Sequence, residues 1–433
     1  MRENTLFEKT HHPNLTRRSA VKIVAGAVAT SIFGVTSVTA QSDDRVQWKF
    51  DASATVRPRP TVAKKSVFVG SADNNLYSIN IETGEQQWAF ETSGEIDTAA
   101  SVVNNTVFVG SKDNNVYAVN ADTGEQQWAF DTGDKIFAPL TVSNGTVFVV
   151  SDNYNLYAVD TETGEQQWVS EGGINSSTAP AVVEETIFIG GTSKFKDSDR
   201  GGDLYAIEAQ TGEQLWGFTT GDRVLSSPTV ADGTVFIGCT NNNLYAVNAE
   251  TGEEEWVFET DDTIYSEPTV AGGTVFVGNE NGNLFAVDAE SGEQQWSTKL
   301  DNRISVAPTV ADGIVFVGYS NLYAVDADTG EQLWEVSETA SSPIVWNGTV
   351  YFGSGLSLLA VDAGISGSSE GSRSRLTTMR HGGASENNDN QDNEDAVTEP
   401  SDDSIPGFGI GSGISAIGAA SYMIKRRLTD DSE

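Results

Sequence analysis

From about residue 45 to residue 363, apolar residues fall into short runs broken by glycine, asparagine and aspartate. The stretch SSPTVADGTVFIGCTNNNLYAVNAETGEEEWVF (Ser226–Phe258) shows the pattern once. It holds four β-rich runs, Pro228–Val230, Thr234–Gly238, Leu244–Asn248 and Glu254–Phe258. The residues between them, Ala-Asp-Gly, Thr-Asn-Asn-Asn and Glu-Thr-Gly, are hairpin connections, so the unit is predicted to be a four-stranded antiparallel meander. Variants of TGEQQW occur seven times, first at Thr83–Trp88 and last, as TGEQLW, at Thr329–Trp334. Trp48, Trp88, Trp128, Trp168, Trp216, Trp256, Trp296 and Trp334 stand 40, 40, 40, 48, 40, 40 and 38 residues apart. The long step contains an insertion, TSKFKDSDRGG (Thr192–Gly202). A period near 40 built from short strands marks a propeller blade.

A four-stranded blade has two faces and must stack on neighbours to bury them. One tryptophan in each outer strand can wedge between blades and remove on the order of 200 Å² from water, an upper figure of several kcal/mol at about 25 cal/mol per Å². The glycine of each TGE suits a positive-φ position closing a turn with a bulge. Eight VFVG-like strands run from Val67–Gly70 to Val350–Gly353, yet the last unit ends at Gly364 without a tryptophan strand. The N-terminal RVQWKFD (Arg45–Asp51) has such a strand and no unit of its own. Joining the two closes the circle and leaves no open edge. The expected fold is therefore all-β: an eight-bladed propeller of four-stranded antiparallel blades over residues 41–363, closed by the N-terminal strand.

The run VDADTGEQLW (Val325–Trp334) and its six relatives resemble the tryptophan-docking motif of pyrroloquinoline-quinone (PQQ) repeats. That resemblance covers about Gln41 to Gly364. It implies the eight-bladed propeller of quinoprotein alcohol dehydrogenases and of the outer-membrane assembly lipoprotein BamB. It does not choose between enzyme and non-enzyme, because the motif holds blades together in both. The dehydrogenases carry a vicinal cysteine pair, a carboxylate base and calcium ligands. This chain has one cysteine, Cys239, at a position where sister units have Ser71, Ser111 and Ser151, and it reads as a packing residue. The three histidines, His11, His12 and His381, lie outside the repeats, so the commonest general base and metal ligand is missing from them. Runs such as SADNNLY (Ser71–Tyr77) lack the spacing of a calcium loop and read as tight turns. No catalytic, cofactor or metal residue is assigned. PQQ with calcium enters only under the alternative reading, an extracytoplasmic quinone-dependent oxidoreductase.

The chain has 433 residues and a formal charge of −37, from 62 acidic and 25 basic side chains. So negative a field disfavours nucleic acid, whose binding needs cations against phosphates. With a packed core indicated, the charge reads as the acid coat of a globule from a salt-rich setting.

The two ends read as addresses. Arg17 and Arg18 precede an apolar run from Ile23 to Val38 and small residues at Val38-Thr39-Ala40, which resembles a twin-arginine signal peptide over residues 1–40 cut after Ala40. Residues 364–404 are polar and charged and are expected to form a disordered acidic tether. In residues 405–433, Pro406-Gly407-Phe408, an uncharged stretch of 18 residues (Gly407–Ile424) and Lys425-Arg426-Arg427 resemble the PGF-type sorting signal of archaeal surface proteins, in which a lipid replaces the C-terminal helix. The expected place is the outer face of the cell membrane, held by that helix or by a lipid.

The two rims of the expected propeller differ. The TGE rim repeats and is acidic. On the opposite rim, counting three residues back from the first residue of each inner strand gives Arg57, Asp97, Phe137, Ser177, Leu225, Tyr265, Ser305 and Ala340. Arg59, Lys112, Lys135, Lys194, Lys196, Arg200, Arg223 and Arg303 fall on this rim too. Variation on a repetitive scaffold is what a binding face should show. Arg57, Arg59, Asp97, Lys135, Phe137, Arg223, Leu225, Tyr265 and Arg303 are therefore the candidate contacts for a surface or membrane protein, or a glycan, bound by a monomeric propeller. Asn104, Asn144, Asn175 and Asn347 open Asn-x-Ser/Thr sequons, candidate N-glycosylation sites.

Overall fold

The computed structural model describes residues 45–170, 174–175, 178–193 and 203–369. The signal peptide with Ala40, most of the tether and the sorting motif Pro406-Gly407-Phe408 lie outside the described residues, as do Ser177, Lys194, Lys196 and Arg200.

Eight antiparallel sheets are present. Within a blade the strands are termed a to d from the axis outwards. Blade 1 runs Thr61–Ala63, Ser66–Gly70, Asn75–Asn80, Gln86–Glu91, and blades 2 to 7 follow in sequence order. Blade 8 takes strands a to c from Ile344–Trp346, Thr349–Ser354 and Ser357–Asp362, and its strand d is Val46–Asp51 from the N-terminus. Each strand a lies against those of both neighbours, and Thr61–Ala63 meets Ile344–Trp346, so the ring is closed. Blade 4 departs from the four-stranded expectation. Its strand b is lengthened to Thr186–Ser193, and a short strand, Ile174–Asn175, pairs with Thr192–Ser193. The insertion at that point extends the hairpin and gives the extra strand a partner.

Sequence explains the local geometry. In six of the seven TGE turns an Asn or Asp at the end of strand c accepts hydrogen bonds from the turn's backbone N–H groups: Asn80 Oδ1 receives the N–H of Glu82 and Thr83, both at 2.9 Å. The glycine then takes positive φ, +70° at Gly84, and strand d bulges just after it: Ile79 faces Gln86 and Ser78 faces Trp88, leaving Gln87 as the extra residue. The tryptophan of strand d leans on the strand-b aromatic of its own blade, Tyr351 under Trp48 in blade 8 and a phenylalanine elsewhere, as Phe68 under Trp88 with ring centroids 5.7 Å apart. Its far side covers the glycine of the next blade: a Cβ added at Gly124 would stand 2.8 Å from the Trp88 ring. Trp88 Nε1 also donates to the Ala121 carbonyl of that blade at 3.0 Å. The same link runs from Trp48 to Ile81, Trp128 to Thr161, Trp168 to Ala209, Trp216 to Ala249, Trp256 to Ala289 and Trp296 to Ala327. Trp334 faces blade 8, which has no TGE turn, and there the Arg45 guanidinium lies 4.6 Å over its ring.

A second set of inter-blade links circles the axis. Thr61, Thr141, Thr229, Thr269 and Thr309 each donate Oγ1–H to the next blade's carbonyl at 2.6–2.7 Å, and Ser101 does so at 3.2 Å. Ala181 and Ile344 occupy the other two positions.

The segment from Gly364, expected to leave the propeller as tether, stays on it as far as Ser369. Ile365 packs beside the blade 7–8 core, and Ser369 N–H donates to the Val345 carbonyl at 3.0 Å.

Candidate interaction rim

The loops from strand b to strand c and the connections between blades share one rim, tied together by backbone: Thr92 N–H donates to the Asn74 carbonyl at 2.8 Å and Ile96 N–H to the Ser71 carbonyl at 3.1 Å. Six of the eight connections are pinned by a buried aliphatic residue pressed onto a glycine at or near the end of strand b of the preceding blade. The pairs are Ile96 on Gly70, Ile136 on Gly110, Val224 on Gly190, Ile264 on Gly238, Ile304 on Gly278 and Val56 on Gly353. The residue after the pin lies at the rim surface. That places Arg57, Asp97, Phe137, Leu225, Tyr265 and Ser305 at equivalent points around the rim. Arg57 and Phe137 are exposed and the other four are half-buried.

Ala340 does not belong with them. The connection into blade 8 is shorter, and the Ala340 N–H bonds the Tyr319 carbonyl at 2.9 Å, where Ile304 bonds Asn279. Ala340 is therefore the pin and is buried.

Charges on this rim meet across blades. Asp97 Oδ2 lies 2.6 Å from Lys112 Nζ and 3.7 Å from Arg57, and Glu95 lies 2.7 Å from the same lysine. The hydrogen bonds to Asp97 and Glu95 raise the Lys112 pKa, and the bond to Lys112 lowers that of Glu95. Lys112 Nζ also sits 5.5 Å from the Phe137 ring, so blades 1, 2 and 3 share one patch. On the far side Arg303 stacks 4.1 Å over Tyr319, donates to its hydroxyl, and lies 3.5 Å from Glu280. Lys135 and Arg223 are exposed at the surface, and Arg59 is half-buried nearer the axis with buried Nε and Nη2. Leu225 and Tyr265 lie between the two charged patches in sequence order of the blades.

Tyr319 and Leu356 were not singled out from sequence, yet both are exposed on this rim. The signal was the shortened loop YSNLY, which lacks the residues that sister loops place ahead of the tyrosine. Between blades 7 and 8 a groove of about 700 Å³ opens beside them, lined by Lys49, Asp51, Glu338, Ser354 and Leu356.

Asp/Asn loops on this rim hold themselves together. Asp73 accepts from Ser53 N–H at 2.8 Å and Tyr77 hydroxyl at 2.7 Å. Burial pushes its carboxyl up, but these bonds and those of Asn75 outweigh it and leave the pKa below the usual value. Cys239 is buried, and its thiol donates to the Arg223 carbonyl at 3.4 Å, as the Ser151 hydroxyl does to Asp134 at 2.9 Å. A quinone held with calcium needs oxygen donors converging on the cation, and among the described residues no three His, Cys, Asp or Glu side chains come together. The single cysteine is packed away beside these loops.

On the opposite rim Asn104, Asn144 and Asn347 are exposed in turns at positive φ. Asn175 stands in the short strand of blade 4, and its side chain lies outside the described set.

Four stretches of the chain, residues 16–102, 91–195, 196–267 and 262–369, match the family described as outer membrane protein assembly factor BamB. The chain belongs to that family. Its fold is shared with BamB from Moraxella catarrhalis, at a TM-score of 0.60 and 15% identity over 73% of this chain and 99% of that one. The computationally designed Ika8 protein gives 0.61 and 17% over 72% and 98%. Quinohemoprotein alcohol dehydrogenase ADHIIG from Pseudomonas putida HK5 gives 0.60 and 16% over 76% and 78%. No curated protein matches the sequence. Identities this low establish the propeller and nothing about chemistry. The BamB-type assignment leaves the two rims to be read from this chain's own residues.

Proposed function

We propose that the protein is an exported, membrane-tethered propeller that works as a non-catalytic docking and assembly scaffold at the cell surface, as a monomer, through its unlike rim. The observation that carries this is the pinned connection: a rigid repeat that sets six different side chains at equivalent outward points. The partner that suits it best is a protein. Phe137, Tyr319 and Leu356 offer exposed apolar surface, while Arg57, Lys112 and Arg303 are engaged by rim carboxylates. An anionic glycan would have to displace those carboxylates. Family membership supports an assembly role, since the family is described by one. The signal-like N-terminus and the PGF-like tail support the location, and the acid coat supports a salt-rich exterior.

The test is capture from native membranes in high salt with three baits: wild type, Phe137→Ser with Leu225→Ser and Tyr319→Ser, and Glu85→Lys with Glu125→Lys on the repetitive rim. The reading requires loss of specific partners with the first variant and their retention with the second. Equal capture by all three overturns it. Absorbance change and dye reduction on adding PQQ and calcium to the purified protein would establish the oxidoreductase alternative instead.

A further inference from the structure

The repetitive TGE rim carries two cavities built on one plan. The first, of about 470 Å³, opens between blades 2 and 3, where Asn104, Thr106, Phe108, Gln127 and Glu162 line it. The second, of about 250 Å³, lies one blade on, with Asn144, Thr146, Phe148, Gln167 and Gln210 in the corresponding places. Each phenylalanine is buried, and the other four side chains are polar. The glutamine is the extra residue of the strand-d bulge, and its Oε1 accepts from the threonine hydroxyl at 3.0 Å in both cavities. With the oxygen so held, the amide N–H2 group of the glutamine is left to donate. The same place between blades 1 and 2 is bridged instead. Lys64, which stands where Asn104 does, bonds Asn105 and lies 3.4 Å from Asp122, and Asn105 Nδ2 donates to Asp122 at 2.8 Å. Blade 6 has Gly272 there, with no side chain to offer.

The groups on offer decide what such a cavity can hold. Neither lining contains a cation, while Glu162 in the first and Glu184 with Glu185 in the second repel an anion. An apolar ligand would take water from the carboxamides and return no hydrogen bond. A divalent cation needs several oxygens closing on one point, and among the described residues no three His, Cys, Asp or Glu side chains do so. A sugar fits what remains. Its hydroxyls both donate and accept, a carboxamide supplies both kinds of partner, and a carboxylate accepts. We propose that the two cavities are a pair of binding sites for the neutral sugar units of a saccharide. Asn104 and Gln127 bond its hydroxyls from blade 2, and Glu162 accepts from a further hydroxyl across the seam; Asn144, Gln167 and Gln210 do the same one blade on. An oligosaccharide long enough to reach both sites gains from the raised effective concentration of its second unit. The inference does not depend on the scaffold reading, which concerns the opposite rim.

Calorimetric titration and saturation-transfer NMR on the full-length protein, produced with its asparagines unmodified, test this. The probes are the methyl glycosides of glucose, mannose and galactose, and N-acetylglucosamine, with glucuronate as the charged control. At least one neutral probe should saturate at two molecules per chain, one for each cavity, and glucuronate should bind roughly tenfold or more weakly. Gln127→Leu with Gln167→Leu should weaken the neutral probe roughly fivefold or more. Leu215 and Leu333 fill that bulge position in blades 4 and 7, so the fold accepts leucine there. Asn104→Lys, which repeats in blade 2 the bridge that Lys64 makes in blade 1, should reduce the stoichiometry from two to one. Failure of every neutral probe to saturate overturns the proposal, as does glucuronate binding as tight as theirs. Binding that both variants leave unchanged overturns it too, because the sugar would then sit elsewhere.

Discussion

Replacing Gly124 by alanine separates the two reasons why glycine ends each TGE. The residue has φ +75°, and a Cβ would stand 2.8 Å from the Trp88 ring. The left-handed conformation costs a non-glycine residue about 1–2 kcal/mol. Forcing a methyl against a packed indole costs about 1–3 kcal/mol more, so Gly124→Ala should lose about 2–5 kcal/mol. Gly233→Ala isolates the first contribution, because Gly233 has φ +84° and open space around its Cβ; it should lose only about 1–2 kcal/mol. Gly110→Ala isolates the second, since Gly110 has no positive φ but its Cβ would stand 2.5 Å from Ile136 Cγ2. Urea unfolding followed by tryptophan fluorescence gives all three values. If Gly124→Ala and Gly233→Ala destabilise equally, the indole does not press on the next blade's glycine and the docking argument fails.

Three further outcomes follow from the same contacts. Ala181→Thr should restore a missing hydroxyl link at the axis and stabilise by about 0.5–1 kcal/mol, read as a raised unfolding midpoint; no gain would mean that the threonine ring is incidental. Arg45→Ala should cost about 0.5–1 kcal/mol by uncovering Trp334, with a red shift of its emission. Asp160, Asp288 and Asp326 are held below their usual carboxyl value chiefly by hydrogen bonds from Thr163, Ser291 and Thr329. A lowered folded-state pKa stabilises above the unfolded value of 3.8 and loses that contribution as pH falls through the folded one. Sister turns use Asn80, Asn120 and Asn248, so the triple Asp→Asn variant should keep its turns and lose less stability than wild type between pH 4 and pH 2, both about; parallel acid curves would refute this.

The blades were legible because each strand and turn depends on residues a few positions apart, repeated until chance is excluded. The N-terminal strand was legible by subtraction, since Trp48 had no unit and the last unit had no tryptophan. The rim was legible only where connections have constant length. Counting back from Pro60 or Pro268 finds Arg57 and Tyr265, but from Pro343 it finds Ala340, which a shorter connection turns into a buried pin. The pairing of Arg57, Asp97 and Lys112 was hidden because these side chains belong to different blades and meet only once the ring has formed. Tyr319 against Arg303 was hidden for the same reason.

Because Asp51 bonds Ser357 across 306 residues of sequence, the first strand to be synthesised waits for nearly the last. Until then the growing chain exposes an unpaired seam beside blade 1, and the tryptophan of that waiting strand has one blade to lean on instead of two. Contacts this distant slow folding and prolong the sticky interval. Completion is therefore all-or-none: a polypeptide stopped short of its final hairpin is an incomplete circle whose bare strand invites pairing with another copy.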